Sequence, residues 1–186
     1  HLDRALHIFE QRLGPEHPDV ANALNDIGGA YHRAGEYERE LETGKRALAI
    51  REQALGPDHP DVGQSLVNTA IASKALGKWD IVLPNYRRAI EIFARAHGQE
   101  HLTTAITRLN FAEALRVQNR LADAGREYEA ARVVFARQFG EDHPLLAHIW
   151  NGVGQLELAR GRTSEAIPHL QRAVSLRVKD PGAQPA

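Results

Sequence analysis

Leu13-Gly14-Pro15-Glu16-His17-Pro18-Asp19-Val20 and Leu55-Gly56-Pro57-Asp58-His59-Pro60-Asp61-Val62 are nearly the same octapeptide, written 42 residues apart. Weaker copies follow at Gly98 and Gly140, each with a histidine three places on, His101 and His143. A fixed period in this range marks a chain of stacked repeats, none of which can bury its apolar face alone. The register gives a partial unit at 1–12, complete units at 13–54, 55–96, 97–138 and 139–180, and a stub at 181–186. Residues 1–12 read as the second helix of a preceding repeat. Gly182 keeps the glycine column, so the stub reads as a linker toward a further repeat.

Within a unit, Ala23, Leu24, Ile27, Gly28 and Tyr31 recur at helical spacing, as do Leu41, Ala47, Leu48 and Ile50. Two helices per unit follow. The first should open at Pro18, Pro60 and Pro144, because proline suits the first helical position. It should end at Gly35, Gly77, Asn119 and Gly161, residues that tolerate a left-handed backbone. Asp80 and Ser164 are expected to cap second helices, with Pro84 and Pro168 lying where a helix start tolerates them. The spacing predicts helices over 18–33, 38–54, 60–75, 80–96, 102–117, 122–138, 144–159 and 164–178. The column Ala5, Ala47, Ala89, Ala131 and Ala173 lets helix backbones approach closely.

The 186 residues are 42% hydrophobic and 25% charged, with net charge −1 and a sequence pI near 6.9. That balance argues against a nucleic-acid partner. No apolar run approaches the roughly 18 residues needed to span a bilayer, so no membrane segment is expected. The absence of cysteine removes disulfides and thiolate metal sites and fits a cytoplasmic protein. No phosphate-binding loop, nucleophile elbow or His-Glu-x-x-His stands in the chain, so neither catalysis nor a cofactor is expected. His97-Gly98-Gln99-Glu100-His101 matches the pattern of an inverted zinc peptidase, but that chemistry needs one continuous helix and Gly98 stands in the junction column. The junction histidines lie too far apart to share an ion, so no metal site is expected and they are read as closing the turn before each first helix.

Leu24-x-x-Ile27-Gly28-x-x-Tyr31, then Gly35-x-Tyr37 and Ala47, resemble tetratricopeptide repeats, and Trp150-x-x-Val153-Gly154 does so again. The ordinary period of that family is 34; the longer form here resembles the repeats of kinesin light chains, and those found in large bacterial serine/threonine kinases and regulatory ATPases. Two positions depart from the pattern: Arg108 replaces a large apolar residue, and Gly44 interrupts a column otherwise Leu2, Tyr86, Tyr128 and Leu170. The resemblance implies an all-α, right-handed α-solenoid of antiparallel helix pairs whose first helices line a concave peptide-binding face. It places Asn25 and Arg33, then Asn68, Ile71 and Lys74, then Leu109, Asn110, Glu113 and Arg116, then Asn151 on that groove. Asn68 and Asn110 would hold a peptide main chain. Arg33, Lys74 and Arg116 would form a basic edge for an acidic side chain. The expected function is a non-catalytic protein-interaction module, part of a larger bacterial signalling protein. The alternative is regulatory self-association or docking on an attached kinase or ATPase domain. End-to-end association of the chain is a further expectation.

Overall fold

The computed structural model describes residues 2–178, which form nine α-helices and no strand. In chain order these are α1 (Leu2–Leu13), α2 (Pro18–Ala34), α3 (Tyr37–Leu55), α4 (Pro60–Ala75), α5 (Trp79–His97), α6 (Leu102–Val117), α7 (Leu121–Phe139), α8 (Leu146–Ala159) and α9 (Thr163–Val178). The expectation for residues 181–186 lies outside the described residues. No helix among those described is long and apolar enough to cross a membrane.

The chain folds as two compact units, His1–Ala96 and His97–Ala186. In the first, α2 packs on α3 and α3 on α4, while α2 and α4 also touch. Phe93 and Ile92 of α5 close on Gly63 of α4, where an added Cβ would stand 2.9 Å from the Phe93 ring. In the second unit α6, α7, α8 and α9 pack in succession, and α6 touches α8. Connections of a few residues make sequence neighbours antiparallel. Ala47, Ala89 and Ala131 are wholly buried and Ala173 nearly so, as close backbone approach requires.

Three of the four junction histidines, His17, His59 and His101, are helix caps, and His143 closes the turn before α8. His17, His59 and His101 each accept the backbone N–H two residues on at Nδ1, at 3.2 Å, and His143 does the same for Leu145. Each therefore satisfies one donor left over at a helix start. His97 ends α5 while His101 caps α6, so the zinc-peptidase string spans a break at Gly98. Gly35, Gly77, Gly161 and Asn119 adopt left-handed conformations at φ 74°, 68°, 75° and 57°.

Two expectations about helix starts need correction. The eighth helix begins at Leu146 rather than Pro144, because Ala147 N–H bonds Pro144 O and the first turn is tightened to three-residue spacing. Asp80 and Ser164 do not occupy the cap position; α5 and α9 begin one residue earlier, and Ser164 Oγ bonds Glu165 instead.

The long junctions are tied down by arginines on the following second helix. Arg88 donates to Glu52 at 2.5 Å and to the Pro57 carbonyl at 2.9 Å, and Arg95 pairs with Asp58 at 2.8 Å. In the second unit Arg137 pairs with Glu100, and Arg172 with Asp142. The extra residues of the period thus become a braced loop.

Candidate functional site

In the first unit, α2 and α4 bring Asn25, Arg33, Asn68 and Ile71 to the wall of one cavity of about 260 Å³. Leu24, Gly28, Gly29, His32, Glu40 and Gly44 complete it. The cavity exists because side chains are missing from the repeat pattern. In α9, Leu170 closes over Gly154, with its side chain 2.6 Å from where a Cβ on that glycine would be. The positions corresponding to that pair are Gly44 and Gly28, so no leucine side chain fills the space there and both glycines line the cavity.

Lys74 lies one turn past Ile71 on α4, half-buried and outside the cavity wall. Arg33 is exposed. Among the described residues neither has a carboxylate partner. At the far edge His32 Nδ1 meets Glu40 Oε2 at 2.9 Å, and the Glu40 side chain is only 9% exposed. This carboxylate is therefore already hydrogen-bonded at the cavity edge, while Arg33 and Lys74 form no ion pair among the described residues.

Behind the cavity lies Arg51 on α3, 6% exposed. Its guanidinium is held by neutral oxygens: Asn22 Oδ1 at 2.8 Å, Ser65 Oγ at 2.8 Å and the Asp61 carbonyl at 3.1 Å. Burial lowers its pKa below the ordinary value, with the charge of Asp61 acting in the opposite sense. Arg51 also fixes Asn25. With Oδ1 turned inward, the Asn25 amide accepts from both terminal nitrogens at 2.8 and 2.6 Å, whereas the reverse orientation would set donor against donor. Gln64 Nε2 donates to Asn68 Oδ1 at 2.9 Å, and Asn68 Nδ2 lies 3.4 Å from the Asn25 amide. Three amides thus form a row.

The second unit treats the corresponding positions differently. Glu113 holds Arg116 through two hydrogen bonds, at 2.6 and 3.0 Å, and accepts from the Tyr128 hydroxyl at 2.7 Å. Burial, then the bond to Glu113, raises the pKa of Tyr128; the bond to Glu113 raises that of Arg116. Leu109 is 8% exposed and belongs to the core more than to any surface. Asn110 on α6 and Asn151 on α8 are half-buried. Arg108, at an apolar position of the repeat, is half-buried and reaches Glu127 at 2.6 Å and Gln99 at 2.5 Å.

Sequence reasoning missed Arg51 and the His32–Glu40 pair. The first had a signal: Arg51 and Arg177 depart from a column that is otherwise Phe9, Phe93 and Phe135. The second had none, because Glu40 reads as an ordinary solvated residue of α3.

The tetratricopeptide repeat profile matches residues 1–53, 41–95 and 103–177. No curated protein matches the chain. Among solved structures it is similar to BtubC (BKLC) from P. vanneervenii, with a TM-score of 0.84 and 23% identity over 100% of this chain and 74% of that one. It is similar to a Podosopora anserina putative kinesin light chain with nearly identical TPR-like repeats, at a TM-score of 0.81 and 20% identity over 98% and 86%. MamA from AMB-1 matches at a TM-score of 0.67 and 20% identity over 96% and 90%. At these identities the likeness establishes the fold, an all-α helical-repeat solenoid. Such repeats are generally protein–protein interaction modules and typically non-catalytic. By its repeated residues, its helix pairs and a family match over most of its length, the chain belongs to the tetratricopeptide repeat family.

Proposed function

We propose that the chain is a non-catalytic module that binds an extended partner segment across the shared face of α2 and α4. Asn25 and Asn68 would engage its main chain, Ile71 an aliphatic side chain, and Arg33 and Lys74 an acidic one. In this reading Asn110, Glu113, Arg116 and Asn151 offer a second, weaker face on α6 and α8. The module would serve as the recognition segment of a larger bacterial signalling or regulatory protein. The observation that carries the reading is the open cavity of about 260 Å³ beside two cations with no carboxylate of their own. Unpaired cations and a paired amide row suit a ligand that supplies acceptor oxygens.

A random dodecapeptide library selected on the 186-residue chain provides the probe. Synthetic copies of the selected peptides are titrated into wild type, Asn68→Ala, Arg33→Ala and Lys74→Ala. Each substitution should weaken binding roughly tenfold, the loss of one hydrogen bond to a charged or well-placed polar group. Added salt should weaken it further, since the attraction is partly electrostatic. Unchanged affinity in all three, with the fold intact, would move the binding surface elsewhere.

A further inference from the structure

Position 51 belongs to a column that reads Phe9, Arg51, Phe93, Phe135 and Arg177, and position 25 to one that reads Asn25, Val67, Leu109 and Asn151. Compared unit by unit, the columns change together. Phenylalanine goes with valine or leucine, at 93 with 67 and at 135 with 109, and all four are buried. Arginine goes with asparagine, at 51 with 25, where the arginine is buried, and at 177 with 151, where it is exposed. A buried guanidinium without a carboxylate needs neutral oxygens, and an asparagine one helix away supplies one. The contact between Arg51 and Asn25 gives this pairing its physical form.

The consequence reaches the surface. Asn25 Oδ1 faces both terminal nitrogens of Arg51, sharing Nη1 with Ser65 Oγ and the Asp61 carbonyl, so the amide turns its N–H groups away from the guanidinium. One of them then meets Asn68 Nδ2, while Asn68 Oδ1 accepts from Gln64 Nε2, so an inward Asn25 oxygen requires both neighbouring amides to turn with it, the Asn68 oxygen toward Asn25 and its N–H groups toward Gln64. We infer that Arg51 is a positioning residue that sets the direction of the Asn25–Asn68–Gln64 row and makes Asn25 a pure donor toward the cavity. The face then selects acceptor oxygens, main-chain carbonyls or carboxylates, over N–H groups. Arg51 touches no partner; it acts through Asn25. The use of this donor face rests on the proposed peptide-binding function, whereas the direction of the row does not.

Side-chain amide NMR on the labelled 186-residue chain tests the direction alone. Arg51→Lys keeps the charge but cannot present two nitrogens to the Asn25 oxygen. The NH₂ signals of Asn25, and beyond it of Asn68 and Gln64, should shift, while those of Asn110 and Asn151 in the other unit stay in place. If Asn25 moves and Asn68 and Gln64 do not, no direction is transmitted and the inference fails. It fails equally if all the asparagines shift together, the mark of general loosening.

The second arm uses the selected peptides. Arg51→Phe, Asn25→Val and the double variant, which reproduces the Phe93 and Val67 pairing, should each lose about tenfold in affinity, because all three remove the same donor. The double variant should melt where wild type does. Additive losses, or a double variant that does not fold, would make Arg51 a structural residue and overturn the assignment. Should no peptide be selected, the functional reading is what fails, and the NMR shifts still decide the role of Arg51.

Discussion

The face of α2 and α4 and the face of α6 and α8 are built from the same repeat, yet one is left open and the other closed. In the first unit Gly44, Gly28 and Gly29 line a cavity, and among the described residues neither Arg33 nor Lys74 forms an ion pair. In the second, Tyr128 stands in the column of Gly44, and its hydroxyl joins Glu113 and Arg116 into one network. The difference teaches that a repeat assigns positions, not roles. A tyrosine or a glycine at one column decides whether the polar groups nearby bond to each other or remain for a partner.

The largest effect should come from adding a single methyl group. At Gly152 a Cβ would stand 2.5–2.8 Å from the Tyr128 ring, so Gly152→Ala should destabilise the second unit by about 1–3 kcal/mol, seen in its denaturation midpoint. The same change at Gly44 meets only Thr69 Cγ2 at 3.2 Å and should cost much less. Equal losses at the two sites would erase the contrast between a closed face and an open one.

Next is Glu113→Ala, which strands the buried Tyr128 hydroxyl and frees Arg116. Its cost should be about 1–3 kcal/mol, with Tyr128→Phe restoring part of it. Lys74→Ala in the first unit should leave stability within about 0.5 kcal/mol while weakening peptide binding. A destabilised Lys74→Ala, or a neutral Glu113→Ala, would reverse the assignment of the two faces. Arg116→Ala should change peptide affinity less than Lys74→Ala does, because Glu113 already neutralises the guanidinium.

Smallest and most uniform should be the caps. His17→Ala and His101→Ala each remove one acceptor of equal geometry and should cost about 1 kcal/mol apiece, in either unit. A cap effect that differs widely between units would mean that the junctions, and not only the faces, have diverged.

Helix number, the left-handed stops at Gly35, Gly77, Asn119 and Gly161, and the turn-closing role of the histidines were all legible in the chain. Each is set by residues within a few positions of one another. Helix starts were less legible at Trp79 and Thr163, one residue before the expected caps Asp80 and Ser164. The first turn of α8 was misread because Pro144 permits a helix start without requiring one.

The candidate face divides along the same line. Asn25, Arg33, Asn68, Ile71 and Lys74 could be named as groove candidates because the resemblance to tetratricopeptide repeats implies which face of the first helices is concave. That Leu109 is buried and that Arg116 is held by Glu113 could not, because both depend on which rotamer a neighbouring helix permits. Gly44 was visible as a departure, but only the packing of α2, α3 and α4 turns it into a cavity. The sequence by itself determined the period, the helices and the family. Tertiary structure alone decided which polar groups were consumed inside the fold, because hydrogen-bond partners such as Arg51 and Asn25 lie 26 residues apart and meet only when the helices stack.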